Sequence, residues 1–423
     1  MKLSDNLQKF LDSRELFGWQ LGLTRIARLA KSFGNPERRF QVIHLAGTNG
    51  KGSTAAMLEA VLKAAGYRTG LYTSPHLVHV VERIRIAGAP IDLPHFEALL
   101  TKQRSLLEKE RATYFEALTT VAFAAFAESN VDVAVIEVGL GGRLDATNIV
   151  QPRLCVMAHI ALDHQQILGR SLAKIAAEKA GILKRRVPCI VGKMPITAMR
   201  EIRSRAQALQ APVYEAWRMC KLREATITED GNRLALTINS AAYEDLRCRL
   251  AGGHQINNTL CVIAAVHVLN QCGLQISESA LRHGLANVDW PGRFQLAQKQ
   301  PRVIYDVAHN PAGMEALVET FREIYPNQPP IVVIGILADK DHVKMLQQWK
   351  GAAKKMIFCK VQSKRGQLPE ELYRTAEKLR LPAEVIVEPR EAVQHAKKLA
   401  GAKGVVCVTG SHYLIGQILA KRH

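Results

Sequence analysis

Leu45-Ala-Gly-Thr-Asn-Gly-Lys-Gly-Ser53 follows a short apolar run, Phe40-Gln-Val-Ile-His-Leu45, and opens a stretch to Ala65 in which Ala56, Met57, Leu58, Ala60, Val61 and Leu62 recur at helical spacing. A strand, a glycine-rich turn and a helix in that order let backbone N–H groups turn inward on phosphate oxygens, at the positive end of the helix dipole. Lys51 adds a point charge. Thr48, Asn49, Gly50, Lys51, Gly52 and Ser53 are therefore the expected nucleotide-binding residues. The stretch departs from the general phosphate loop G-x-x-x-x-G-K-[ST], because Leu45 stands at the first glycine position and Gly52 where the metal-binding hydroxyl belongs, with Ser53 one residue late.

Further along, Gly70-Leu-Tyr-Thr73 reads as a strand. Val131–Val138 and Leu154–Met157 are runs expected of strands buried on both faces of a parallel sheet, with helical patterns at 96–109 and 114–128. Since Gly52 has no hydroxyl, a Mg²⁺ ion on the phosphates needs other ligands, and three segments offer them. They are Ser74 in Thr73-Ser-Pro-His-Leu77, Glu137 just before Gly139-Leu-Gly-Gly142, and His164 after Asp163. Alone, each has an ordinary reading as a capping serine, an arginine-paired glutamate or a satisfied histidine. Together they share the C-terminal edge of the sheet, where ligands of open parallel sheets collect, and that favours ligation.

A second alternating series starts near residue 300. Strand patterns at 302–306, 331–335, 356–359, 385–387 and 404–409 alternate with helical ones that include 313–325 and 391–399. Residues 210–250 read as a strand-rich excursion before a helix over 256–269. The expectation is an α/β protein with a larger N-terminal domain, residues 1–295, on a mostly parallel sheet. A smaller doubly wound α/β domain follows at 296–423.

The 423 residues are 48% hydrophobic and 22% charged, with a mean hydropathy of −0.04. Such a chain repays its ordering entropy, which excludes disorder as the main state. No run approaches the ~18 apolar residues of a spanning helix. The stretch Met1–Phe10 carries charge where a signal peptide has its apolar core. These features predict a cytoplasmic protein with no membrane partner. The eight cysteines contain no C-x-x-C pair, which leaves zinc ribbons and thioredoxin-type sites unsupported and favours buried, reduced thiols. Lys plus Arg exceed Asp plus Glu by 57 to 38, a net charge of +19. That surplus attracts anions. Its scattered distribution and only 6% aromatic residues favour an acidic small ligand over nucleic acid.

The motifs, in order, resemble folylpolyglutamate synthase, often bifunctional with dihydrofolate synthase, within the wider Mur-ligase group. They are Gly47-Thr-Asn-Gly-Lys-Gly-Ser53, Thr73-Ser-Pro-His-Leu77 with Glu82-Arg-Ile84, Thr113-Tyr-Phe-Glu116, Glu137 to Asn148, Asp163-His164, Glu178-Lys-Ala-Gly-Ile182, His254-Gln255 with Asn258, Trp290-Pro-Gly-Arg293, Asp306-Val-Ala-His-Asn-Pro311 and Asp339-Lys-Asp341. The resemblance implies a P-loop Mur-ligase-like ATPase domain and a C-terminal Rossmann-like glutamate-ligase domain. It implies ATP-dependent addition of L-glutamate to dihydropteroate, to reduced folates, or to both, through an acyl phosphate.

It also implies roles for single residues. Ser74 and Glu137 match ligands of one Mg²⁺, and His164 that of a second. Lys179 matches a lysine that carries a CO₂-derived carbamate; the plain alternative is a lysine paired with an acid on its helix. Asn258 and Arg293 match residues contacting ATP, Gln255 an adenine reader, and Asp306 and His309 positions that reach the nucleotide from the second domain. His309 is otherwise a loop histidine beside Pro311. Phe115 resembles an aromatic near the pterin ring, although a core phenylalanine explains it equally well, and Arg83 and Asp145 lie in motif segments as candidates for positioning the substrate. Lys51, Lys179 and His309 are the implied catalytic residues. ATP, two Mg²⁺ ions and a monovalent cation are the implied cofactors, and the family is commonly monomeric. His412, where the family often has leucine, is assigned no function.

Two other readings remain. A cell-wall Mur ligase shares the chemistry but usually carries an N-terminal UDP-binding domain, for which too little chain precedes the phosphate loop. A nucleotide switch or nucleic-acid-associated NTPase would show an N-K-x-D motif or a clustered basic stripe, and neither is present.

Overall fold

The computed structural model describes residues 3–15, 18 and 20–420; Met1 and Lys2, the start of the charged N-terminal stretch, lie outside them. The first sheet has eight strands, β1 (Gln41–Ala46), β2 (Thr69–Tyr72), β3 (Ile84–Ile86), β4 (Ala89–Pro90), β5 (Val133–Glu137), β6 (Leu154–Met157), β7 (Cys189–Val191) and β8 (Val213–Glu215). Their spatial order is β4-β3-β2-β5-β1-β6-β7-β8. From β2 to β8 all neighbours are parallel, and β3 and β4 add an antiparallel edge. The sheet is wound outward from β1 in both directions, with β5 on one side and β6 on the other. The crevice at their C-terminal ends is the topological switch point, where open α/β sheets bind ligands.

Successive residues of β1 face opposite layers, as the strand period of two requires. Ile43 and Leu45 join one core, and helices Lys51–Ala64, Gly253–Gln271 and Glu278–Asn287 cover that face. Val42 joins the opposite core under helices Leu93–Lys109 and Tyr114–Glu128. Met157, Cys155 and Val191 pack with residues of helices Leu172–Ala180 and Ile196–Ala208. Helix Tyr114–Glu128 starts at a capping box. Thr113 accepts from the Glu116 N–H, and the Glu116 carboxylate accepts from the Thr113 N–H at 2.8 Å.

The Thr-rich excursion is a three-stranded antiparallel meander, β9 (Cys220–Thr228), β10 (Gly231–Ile238) and β11 (Ala241–Cys248). Leu234, Leu236 and Ile238 turn its apolar face into the first core. The start of the excursion departs from expectation, since β8 pairs with β7 at the edge of the main sheet.

The second sheet comprises β12 (Gln295–Lys299), β13 (Arg302–Tyr305), β14 (Ile331–Ile334), β15 (Lys355–Phe358), β16 (Ala383–Val385) and β17 (Val405–Thr409), in the order β12-β13-β17-β14-β15-β16. Only the β12–β13 pair is antiparallel. The strand expected at 385–387 begins earlier, at Ala383, because its register on β15 pairs Met356 with Ala383. All eight cysteines are unpaired, and all but Cys272 are buried. Among the described residues no helix is long and apolar enough to cross a membrane.

Candidate active site

The loop after β1 is drawn against the segment after β6. The N–H groups of Thr48 and Asn49 both donate to the His159 carbonyl, at 2.7 and 3.3 Å. The Thr48 hydroxyl bridges the Ala161 carbonyl and N–H, each at 3.1 Å. Gly50 then turns into helix Lys51–Ala64 with φ +84°, and a Cβ there would lie 2.4 Å from Asn258 Oδ1. Backbone conformation and space both demand glycine. Behind the loop, Asn258 Nδ2 donates to Gln255 Oε1 at 2.9 Å and Gln255 Nε2 to Ser53 Oγ at 3.3 Å. Four of the residues expected at the nucleotide, Gly50, Ser53, Gln255 and Asn258, thus pack as one layer.

Gly52 has a separate reason. A Cβ at that position would stand 3.2 Å from Trp290 Nε1, so the indole crowds the position where the general loop carries its metal-binding residue. A hydroxyl-bearing side chain there must push the indole aside. Gly52→Thr is expected to weaken ATP binding about tenfold, the effect of a clash of one to two kcal/mol. ADP titration of the two proteins checks this, and unchanged or tighter binding counts against it.

Glu137 ends β5 beside Leu45 of β1, and its carboxylate is 4% exposed. One oxygen accepts from the Ser74 N–H at 3.1 Å and the other lies 3.7 Å from Lys51 Nζ. Burial raises its pKa, against the opposing pull of Lys51, the Ser74 N–H and Arg293. Lys51 Nζ also donates to the Thr48 carbonyl at 3.2 Å.

Lys179, in the last turn of helix Leu172–Ala180, points into this edge. It is 5% exposed, and its Nζ donates to the Gly47 carbonyl at 2.8 Å. Burial and the nearby Lys51 charge bring its pKa down to about 7, against the pull of Asp163, Asp145 and Glu137. Its helix neighbour Glu178 pairs with Arg143 at 2.8 Å instead, which removes the plain ion-pair reading for that partner.

The second domain reaches the same edge. Asn310 caps helix Pro311–Ile324 by accepting from the Gly313 N–H at 2.8 Å. Its amide also pairs reciprocally with that of Asn49, at 2.9 and 3.2 Å, and donates to Asp163 Oδ2 at 3.1 Å. Lys340 Nζ meets Asp163 Oδ1 at 2.7 Å. Burial opposes the Asp163 charge, but Lys340, His164 and His309 outweigh it and hold the carboxyl well below its ordinary range. His164 follows in left-handed backbone at φ 49°, its pKa brought down by burial to about 4. His309 donates from Nδ1 to the Val307 carbonyl at 2.9 Å, a bond that assigns the tautomer, and presents Nε2 to Asp163 Oδ2 at 3.8 Å. Asp163, Asn310 and Lys340 lay in recognised motifs without assigned roles. A capping Asn before Pro311 was readable in the sequence, whereas its reach across the cleft needed the fold.

Two expected residues are engaged by backbone. Asp306 accepts from the Phe294 and Ala308 N–H groups, both at 2.8 Å. Asp145 accepts from the Leu140 N–H at 2.9 Å and the Thr147 N–H at 3.0 Å. Burial raises both pKa values. Asp306 thereby staples the Trp290–Phe294 segment, with Arg293 on it, to the loop after β13. On the far side of β2, Arg83 donates to His76 Nδ1 at 2.9 Å and lies 5.3 Å from the Tyr114 ring centre. Phe115 packs 5.8 Å from Tyr72 and over Gly139, where a Cβ would come within 2.5 Å of it. Phe115 therefore packs on the turn that follows Glu137, and Arg83 is close enough to pull the Glu137 pKa down, so both border the phosphate-loop cluster.

Among the described residues no three His, Cys, Asp or Glu side chains form a metal cage. One buried carboxylate beside the Ser74 backbone suits Mg²⁺, which typically takes one or two carboxylates plus nucleotide phosphates.

The Mur ligase middle domain matches residues 45–266, and the Mur ligase glutamate ligase domain residues 292–412. The dihydrofolate synthase/folylpolyglutamate synthase of Bacillus subtilis is 35% identical over 97% of this chain and 97% of its own length. The structure of Escherichia coli FolC in complex with DHPP and ADP superposes with TM-score 0.88, at 32% identity, over 99% of this chain and 98% of that one. A bifunctional folylpolyglutamate synthase/dihydrofolate synthase with Mn, AMPPNP and L-glutamate bound does so with TM-score 0.84, at 31% identity, over 98% of this chain and 97% of that one. Near-full coverage at this identity, with a phosphate loop and a second domain meeting at one crevice, means that the chain belongs to the dihydrofolate synthase/folylpolyglutamate synthase family of Mur-type ligases.

Proposed function

We propose that this chain is an ATP-dependent ligase that joins L-glutamate by an amide bond to dihydropteroate, to the γ-carboxyl of reduced folates, or to both. The observation that carries the reading is convergence. Lys51, Glu137 and Lys179 meet at the phosphate loop, while from the second domain Asn310 closes on the loop at Asn49 and Lys340 on the adjacent Asp163. Relatives bound to ADP and DHPP, or to AMPPNP, Mn and L-glutamate, support it.

A carboxylate must be activated before an amine can displace its oxygen. One carboxylate oxygen attacks the γ-phosphorus of ATP and ADP leaves, giving an acyl phosphate. The amine of glutamate then adds to the carbonyl carbon, the C–O bond breaks, and inorganic phosphate departs with that oxygen. Attacker and phosphate are both anions, so the barrier is largely electrostatic. Lys51, the loop N–H groups and Arg293 face the phosphates with fixed positive charge, and charge fixed in advance costs no reorganisation. Thr48, Asn49, Gly50, Gly52, Ser53, Asn258 and Asp306 shape this nucleotide site, Gln255 lies on its adenine side, and His309 reaches it across the cleft. Arg83, Phe115 and Asp145 make or support the wall for the accepting acid.

Mg²⁺ held by Ser74 and Glu137, with a second ion at His164 and Lys179, would neutralise charge on the phosphates. Lys179 would serve there as its CO₂ adduct, because CO₂ adds only to a neutral amine and this lysine is buried beside Lys51. A monovalent cation completes the proposed set. The domains divide near residue 295, and the enzyme acts as a cytoplasmic monomer. Contact across the cleft excludes water that would hydrolyse the acyl phosphate.

ADP release with mass detection of product, run separately with dihydropteroate and tetrahydrofolate, tests the reading. A glutamate adduct from at least one acceptor is expected. ADP release without amide product, above all if polynucleotides stimulate it, contradicts it. The surplus of 57 basic over 38 acidic residues gives a further expectation, since a basic cleft concentrates anions and salt screens the attraction. Activity on acceptors with long γ-glutamyl tails should fall more steeply with salt than activity on short ones. Equal slopes count against the cleft as the cause.

A further inference from the structure

His412 stands at the seam where both domains meet the nucleotide site. Its place is set by backbone. Ser411 caps helix His412–Leu419 by accepting from the Leu414 N–H at 3.1 Å. The Gly410 N–H donates to the Ala308 carbonyl at 3.1 Å, tying the loop after β17 to the loop that carries His309. The two imidazoles then lie 5.1 Å apart between ring centres, tilted by 54°. On its other side, His412 Nε2 faces Arg293 Nη2 at 3.5 Å, while Arg293 Nη1 donates to the Gly292 carbonyl at 3.1 Å. Apart from that carbonyl, His412 is the guanidinium's one hydrogen-bond partner among the described residues, while Asp306 and Glu137 attract it by charge.

We propose that His412 is a positioning residue for Arg293, its Nε2 accepting from the guanidinium so that the arginine fork is held toward the phosphates while the ring packs against His309. Only a neutral imidazole with its proton on Nδ1 can accept in this way. Burial, and after it His309, Arg293, Lys51 and Lys340, push the His412 pKa well below its ordinary value and keep the ring neutral. Without this acceptor the guanidinium keeps its bond to the Gly292 carbonyl and the pull of Asp306 and Glu137 but loses the contact that sets the plane of the fork, and a planar fork binds phosphate well only when oriented. The role is made within the ATP site and rests on the ligase reading above.

The test compares His412→Gln, His412→Asn and His412→Leu with the wild type for kcat and ATP KM in the amide-forming assay, with thermal stability measured alongside. A Gln side-chain oxygen falls near the position of Nε2, and an Asn oxygen near that of Nδ1, away from Arg293. His412→Gln should keep ATP KM within about twofold. His412→Asn and His412→Leu should raise it about five- to tenfold with kcat changed less than twofold, roughly the worth of one hydrogen bond to a charged group. In an Arg293→Ala background the same changes should have no further effect on ATP KM. The proposal is overturned if Asn and Gln behave alike, if ATP KM stays constant throughout, or if the effects add in the Arg293→Ala background. A wild-type protein that makes no amide overturns the ligase reading itself and with it this role.

Discussion

Lys179→Ala and Lys179→Arg should both lose about 10³-fold in kcat, and the arginine variant should be no better than alanine. A structural or simply cationic lysine would predict the reverse, since arginine keeps the charge. Guanidinium stays protonated and cannot take up CO₂, so it leaves a cation where the proposed site needs an anion. The magnitude is that of deleting a preorganised charge from a catalytic site. The pH dependence follows from the same residue. An ordinary lysine near pKa 10.5 is almost entirely protonated at neutral pH, but Lys179, brought to about 7, is half neutral there. At fixed dissolved CO₂, carbamate occupancy and activity should rise together from pH 6 to 8, because the amine must first lose its proton and carbamate formation then releases a second one. A ¹³C carbonyl signal from ¹³CO₂-equilibrated protein, absent in Lys179→Ala, reports the adduct directly. Full activity of Lys179→Arg, or no ¹³C signal at pH 8, contradicts the assignment.

Lys51→Ala should cost about 10³-fold in kcat/KM for ATP, for two reasons that act together. It removes the point charge that faces the phosphates. It also strips Glu137 of its nearest cation, 3.7 Å away. Burial already raises the Glu137 pKa and Lys51 is the first of the groups opposing that rise, so the variant carboxyl should titrate higher still. Its metal affinity should then weaken as pH falls, over a range that lies higher than in the wild type. Metal titration at pH 6 and pH 8 distinguishes the two effects. A variant with wild-type metal binding at both values would show that Lys51 acts on the phosphates alone. Retention of most activity would remove Lys51 from the mechanism.

Most of the nucleotide side of the site was legible because its signals are local. Strand, glycines, lysine and helix are contiguous at 40–65, and Glu137 terminates a strand whose apolar run is unmistakable. The strands missed, β3, β4, β7 and β12, are short, and β4 and β12 are sheet edges with no clear period. The contacts across the cleft were not legible as contacts. Asn49 and Asn310 stand 261 positions apart, and Asp163 and Lys340 177, and neither pairing leaves a mark on local pattern. Asp145 and Asp306 show the opposite limit. Each stands in a recognised motif, yet its oxygens are taken up by nearby N–H groups, so each shapes a loop that carries other functional residues. His412 was passed over because a single residue at a helix start carries no pattern at all.

The central claim is that the acceptor acid is phosphorylated before glutamate attacks. Incubating the enzyme with ATP, L-glutamate and an acceptor whose carboxylate carries ¹⁸O, then analysing the phosphate by mass, follows the oxygen itself. Activation through an acyl phosphate places one ¹⁸O in each inorganic phosphate released per amide formed. Amide formation with unlabelled phosphate would contradict the account.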